Sequence, residues 1–147
     1  MENIQSIIQI IQVVVIILAT MFTTWWAYKT FAHKEKINEL KRIIGDIEEL
    51  YFELYFIQKI EKELDNGRSL SKFLDILLQL KKHSSEIVYL KKSEKKRIMD
   101  GVKELINLAH EIVLEHSDKK WKNSEKEFHK KYTELKEKVY KIGQKYV

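Results

Sequence analysis

Residues able to do chemistry are few in this chain of 147 residues, and their spacing excludes most reactions. The run HEIVLEH places His110 beside Glu111 and a second histidine at His116. A zinc helix needs its histidines four apart so that both rings face one metal. Six apart, they point about 120° away from each other on a helical wheel. No metal is expected there, and two histidines near a helix C-terminus suit the partial negative charge of that end. Glu111 and Glu115 share a face and could in principle divide acid and base roles. Lysines surround them and nothing in the pattern marks a pocket, so solvated carboxylates are the expectation. Lys119-Lys120-Trp121-Lys122 mixes cations with an indole, as a base-stacking or membrane-surface patch would. Four residues carry little weight, and a loop with Trp121 packed on a bundle is expected. The four glycines are isolated and build no phosphate loop, and there is no cysteine for a thiolate site, nucleophile or disulfide. The chain reads as a non-enzyme with no cofactor and no metal.

The polar side chains that remain unusual are amides and hydroxyls near the N-terminus. Gln5, Gln9 and Gln12 recur at i, i+4 and i+7, on one helical face, and Thr20 and Thr23 extend it. They interrupt an uncharged span from Asn3 to Tyr28, within which residues 7–26 are almost entirely apolar. Twenty residues at ~1.5 Å rise cover the ~30 Å hydrocarbon layer of a bilayer. A polar stripe facing lipid is costly, so other helices or water must cover it. One helix cannot enclose a pore, but several copies can if these faces converge on an axis. The alternative is a bundle or dimer held by interhelical glutamine hydrogen bonds.

The element that positions this stripe is a single transmembrane helix. Trp25, Trp26 and Tyr28 form an aromatic belt at its C-terminal edge, and Lys29 follows as a headgroup anchor. All 27 Lys and Arg residues lie at or after Lys29, while Glu2 is the only acid before it. This bias predicts an outside N-terminus and a cytoplasmic remainder. The acidic start and the tryptophan exit argue against a cleaved signal peptide. A buried core helix is the other alternative, disfavoured by the length of the apolar run. The expected domains are 1–32, anchor and flank, and 33–147, a cytoplasmic helical domain.

The absence of proline and the scarcity of glycine favour long helices. Ile37, Leu40, Ile44, Ile47, Tyr51 and Leu54 alternate three and four apart, a coiled-coil-like seam for a bundle or an oligomer. Ile43, Leu50, Ile57 and Leu64 add a second stripe. The aromatics of 51–56 cannot all point one way, which leaves a pair for an intersubunit contact. Asp65-Asn66-Gly67 should end this helix. Ser69 or Ser71 should cap the next, ending near His83-Ser84-Ser85. Another should start near Ser93 and fade at His116-Ser117-Asp118. Ser124 and Glu127 make a capping box for the last, whose apolar positions run from Phe128 to Tyr146. The fold class is all-α: one N-terminal transmembrane helix, then a bundle of about four helices. The C-terminal segment 117–147 is basic, with ten lysines against five acids, but the signs are interleaved, as on a solvated helix surface.

The layout of anchor 7–26, WWAYK exit and helical 34–147 resembles the small membrane accessory proteins encoded beside the RNA-guided ribonuclease of type VI-B CRISPR loci. The resemblance implies an oligomeric membrane pore that strengthens antiphage immunity, in a bacterial inner membrane. That family is described with an arginine four to six residues before a histidine. Arg42, Arg68 and Arg97 have no histidine at that distance, and NSEKEFH (Asn123 to His129) has the spacing without the arginine. Ribonuclease activity is therefore not implied. The expected partners are the lipid bilayer and further copies of the chain, with a protein or RNA-guided nuclease partner implied by the resemblance. Nucleic acid is left open. The competing reading is a membrane-tethered adaptor or sensor whose helical domain binds a protein, nucleic acid or nucleotide messenger. A phage holin-like protein fits less well, because the helical domain is large.

Overall fold

The computed structural model describes residues 2–60, 67–114 and 118–146. They form four helices: α1 (Glu2–Ile60), α2 (Gly67–Ser85), α3 (Lys92–Leu114) and α4 (Asp118–Gln144). No strand occurs among the described residues. The all-α class and the long apolar N-terminal helix are as the periodicity predicts. The chain divides into two compact units, Met1–Glu35 and Lys36–Val147.

In the first unit every side chain from Asn3 to Phe31 is exposed in the single chain. This stretch is long and apolar enough to cross a membrane, with none of its most apolar window buried by the chain itself.

The second unit is a bundle of the C-terminal half of α1 with α2, α3 and α4. Ile43, Ile47 and Leu50 of α1 meet Phe73 and Leu80 of α2 in one core. Ile98, Val102, Leu105 and Ile112 of α3 and Phe128, Leu135 and Val139 of α4 complete it. Burying each such side chain is worth roughly 1.5–3 kcal/mol. The buried face of α1 draws on both of its apolar stripes, Leu40, Ile47 and Leu54 from one and Ile43 and Leu50 from the other, and the bundle is how these faces are covered at once. α3 and α4 approach closely at Gly101, where a Cβ would come within 2.6 Å of Leu135 Cδ1.

The helix boundaries differ from expectation in three places. α4 begins at Asp118, so Ser124 lies inside it and the Ser124–Glu127 capping box does not form the start. Lys119-Lys120-Trp121-Lys122 is likewise helical, not a loop. Nothing between Asp118 and Ser124 breaks a helix, and lysine and tryptophan propagate one, so the helix extends back to an acid suited to its N-terminus. α2 begins at Gly67, which places Ser69 and Ser71 within the helix. Leu64, Asp65, Asn66, Glu115, His116 and Ser117 lie outside the described residues.

Candidate functional site

The N-terminal helix holds two kinds of polar group, and the structure separates them. The threonine hydroxyls are satisfied by their own backbone. Thr20 Oγ1 donates to the Ile16 carbonyl at 2.8 Å, and Thr23 Oγ1 donates to Ala19 at 2.9 Å. Thr24 and Thr30 do the same toward Thr20 and Trp26. Back-bonding of this kind lets a hydroxyl sit in an apolar environment with its donor used. The glutamine amides have no such partner. Among the described residues, no hydrogen bond involves the side chains of Gln5, Gln9 or Gln12, and all three are exposed. Each primary amide carries two donors and an acceptor, which are left available for partners such as a neighbouring helix or water. The stripe read from the sequence is thus two features: a glutamine face with no side-chain hydrogen bond among the described residues, and a threonine continuation whose hydroxyls are bonded to their own helix.

At the exit of the run, Phe22 lies 6.1 Å from Trp25 and 6.4 Å from Trp26 between ring centroids. Lys29 Nζ sits 4.9 Å from the centroid of Trp25, a cation–π contact that folds the ammonium back along the ring. Tyr28 is exposed beside them. Thr20, Met21, Thr24, Trp25 and Tyr28 line an open, apolar furrow on this flank. An indole pair with an adjacent snorkelling lysine is the composition of a headgroup-level anchor.

The seam residues are taken up inside the bundle. Leu40, Ile47 and Leu54 are buried, Ile44 packs against the core, and Ile37 is half-buried. Tyr51 is half-buried, stacks on Tyr132 at 4.5 Å, and its hydroxyl shares a hydrogen bond with His129 Nδ1 at 3.2 Å. The outward aromatics of the 51–56 run are Phe52, Tyr55 and Phe56.

Two polar arrangements escaped the sequence reading. The first is a ladder of carboxylates seven residues apart on α1. Glu39 accepts from the backbone N–H groups of Val88 and Tyr89, at 2.8 and 3.3 Å. Asp46 accepts from His83 Nδ1 at 2.5 Å, and Glu53 pairs with Lys72. Asp46 and Glu53 are themselves buried. The partners descend the chain as the acids ascend it, so the ladder fixes α2 antiparallel to α1 in one register. The heptad spacing of 39, 46 and 53 was visible, but an acid on a lysine-rich helix gives no sign of being buried. The second is a clasp between α3 and the C-terminus. Glu94 is only 4% exposed, accepts from the Tyr146 hydroxyl at 2.8 Å, and pairs with Lys145 at 3.3 Å. Burial works against the charge of Glu94, but Tyr146 and Lys145 outweigh it and hold its carboxyl below the usual value. Burial, then the bond to Glu94, pushes the Tyr146 phenol up to about 12.

Comparison with family models, curated proteins and solved structures gives no match for this chain.

No cluster of three or more metal-ligating side chains occurs among the described residues. His110 and Glu111 are exposed on α3, and their companions Glu115 and His116 lie outside the described residues. The arrangement offers hydrogen-bonding amides, anchoring aromatics and a stable bundle.

Proposed function

We propose that the chain is an oligomeric membrane effector whose N-terminal helices associate through their glutamine faces and permeabilise or perturb the bilayer. The observation that carries this reading is the trio Gln5, Gln9 and Gln12, whose side chains make no hydrogen bond among the described residues and lie on an exposed, largely apolar stretch of helix. Leaving an amide unpaired in hydrocarbon costs several kcal/mol. Convergence of several copies removes that cost in either of two ways, by interhelical amide bonds of ~0.6–2 kcal/mol each or by a hydrated axis. The threonine hydroxyls, satisfied internally, demand neither. Orientation follows the lysine bias: N-terminus outside, bundle in the cytoplasm, anchored by Trp25, Trp26, Tyr28 and Lys29. The resemblance in layout supplies a setting, a bacterial inner membrane and antiphage defence beside an RNA-guided ribonuclease. No catalytic step is assigned to the chain.

The test is dye release from vesicles carrying the full chain, compared with a Gln9→Leu, Gln12→Leu variant. Release that depends on the two glutamines supports the effector. Unchanged release, or none from either protein across protein densities, refutes it. A second reading is favoured by one observation, the exposed Phe52, Tyr55 and Phe56 at the end of α1. On that reading the bundle is a tethered adaptor that docks a protein. Alanine at these three positions then abolishes function while membrane permeability is unaffected.

A further inference from the structure

The contacts at one end of the bundle bring four chain segments together. Lys36 Nζ lies 4.5 Å from the centroid of Tyr146, Tyr146 and Lys145 hold Glu94, and Glu39 holds the turn at Val88 and Tyr89. The start of the bundle at Lys36, the α2–α3 connection, the first turn of α3 and the end of α4 therefore form a single surface. This surface is dense in cations. Lys91, Lys92, Lys96 and Lys141 are exposed, and no ion pair involves any of them among the described residues. Two of the acids at this end are committed elsewhere. Glu39 is used by two backbone N–H groups and Glu94 by Tyr146 and Lys145, which leaves Glu86, Asp100 and Glu137 against the four lysines. Elsewhere three cations are matched: Lys72 with Glu53, Lys131 with Glu104, and Lys136 with Glu48. Lys92, Lys95, Lys96 and Arg97 also crowd the positive end of the α3 dipole, a placement that works against helix stability.

We propose that this end, through Lys91, Lys92, Lys96 and Lys141, binds the anionic headgroups of the leaflet in which the chain is anchored. The inference rests on the membrane-anchor reading of residues 7–26. Chain connectivity chooses lipid over other polyanions: residues 29–35 are the whole link between the aromatic exit and Lys36. Tethering therefore holds this end near the headgroups. Anionic leaflets attract basic segments within about one screening length of the surface. Each lysine there strengthens surface contact about fivefold. Contact of this kind makes the bundle's seating on the membrane depend on lipid charge.

The test uses the full chain in vesicles with the bundle outward. One set is phosphatidylcholine alone, the other phosphatidylcholine with phosphatidylglycerol. An amine-reactive label followed by mass spectrometry reads each lysine. Anionic lipid is expected to slow labelling of Lys91, Lys92, Lys96 and Lys141 about fivefold, with little change at the exposed Lys103 and Lys126. The difference should collapse in about 1 M salt, where the screening length is about 3 Å. Equal labelling in both lipids overturns the inference while the anchor stands. Protection of the same four lysines by a short RNA in phosphatidylcholine, with none from anionic lipid, overturns it in favour of a nucleic-acid surface. Failure of the chain to float with either vesicle after an alkaline wash removes the anchor reading, and this inference with it.

Discussion

Tyr146→Phe removes one hydroxyl and tests how the C-terminus is held. Glu94 is 4% exposed and has two side-chain partners, the Tyr146 hydroxyl at 2.8 Å and Lys145 Nζ at 3.3 Å. Phenylalanine keeps the ring under Lys36 and deletes only the shorter of those bonds. A hydrogen bond to a charged group contributes about 1.5–3 kcal/mol. Tyr146 is only half-buried, so the lower end, about 1.5 kcal/mol, applies. That corresponds to roughly tenfold more frequent opening of the last turns of α4. Amide hydrogen exchange of the full chain in detergent reads it directly, through peptides spanning 136–144. Exchange within about twofold of the parent, far below the tenfold expected, refutes the clasp. Alkaline pH gives an independent arm. The phenol keeps its proton in the folded chain until about 12, against 10 when unfolded, so the unfolded state loses the proton first. Stability from Tyr146 is therefore complete below pH 10 and lost as pH rises toward about 12. Glu94 acts in the opposite sense: its depressed carboxyl adds stability above 4.5, lost as pH falls through its lower folded value. The phenylalanine variant should lack the alkaline loss and show a weaker acid one, because Tyr146 is the main group that depresses the Glu94 carboxyl.

Asp46→Ala and His83→Ala should each destabilise the bundle by about 1–3 kcal/mol, and a double-mutant cycle should show coupling of about 1 kcal/mol or more; thermal melts of the four proteins decide it. The two described core-unit glycines with opposite surroundings should respond in opposite directions. Gly45 faces open space, so Gly45→Ala should stabilise by about 0.5–1 kcal/mol through helix propensity alone. Gly101→Ala drives a Cβ to 2.6 Å from the buried Leu135, and overpacking of about 1–3 kcal/mol should exceed the propensity gain and lower the melting temperature.

Apolar periodicity carried most of the fold. Ile47, Leu80, Leu105 and Val139 stand at three-four spacing on their helices, and burial is what that spacing encodes. Helix starts were less legible. Ser124 has the chemistry of a cap, yet a cap only marks a start if the residues before it resist the helix, and Lys119 to Asn123 do not. The buried acids were illegible for a different reason. Glu39, Asp46 and Glu53 have partners 49, 37 and 19 residues away, respectively, which no local window connects. The basic end of the bundle was hidden by the same effect: lysines and acids alternate along the chain, and only folding shows which acids are already used. The candidate site was half legible. Spacing alone placed Gln5, Gln9, Gln12, Thr20 and Thr23 on one face, but side-chain geometry was needed to see that the threonines are self-satisfied and the glutamines are not.

The central claim is that the glutamine face makes the chain assemble. Mass measurement of the full-length protein in mild detergent tests it most directly. Discrete multiples of the 17.7 kDa chain are expected, with the distribution shifted toward smaller species in a Gln5→Leu, Gln9→Leu, Gln12→Leu variant. A parent protein that stays at 17.7 kDa over the accessible concentration range contradicts it.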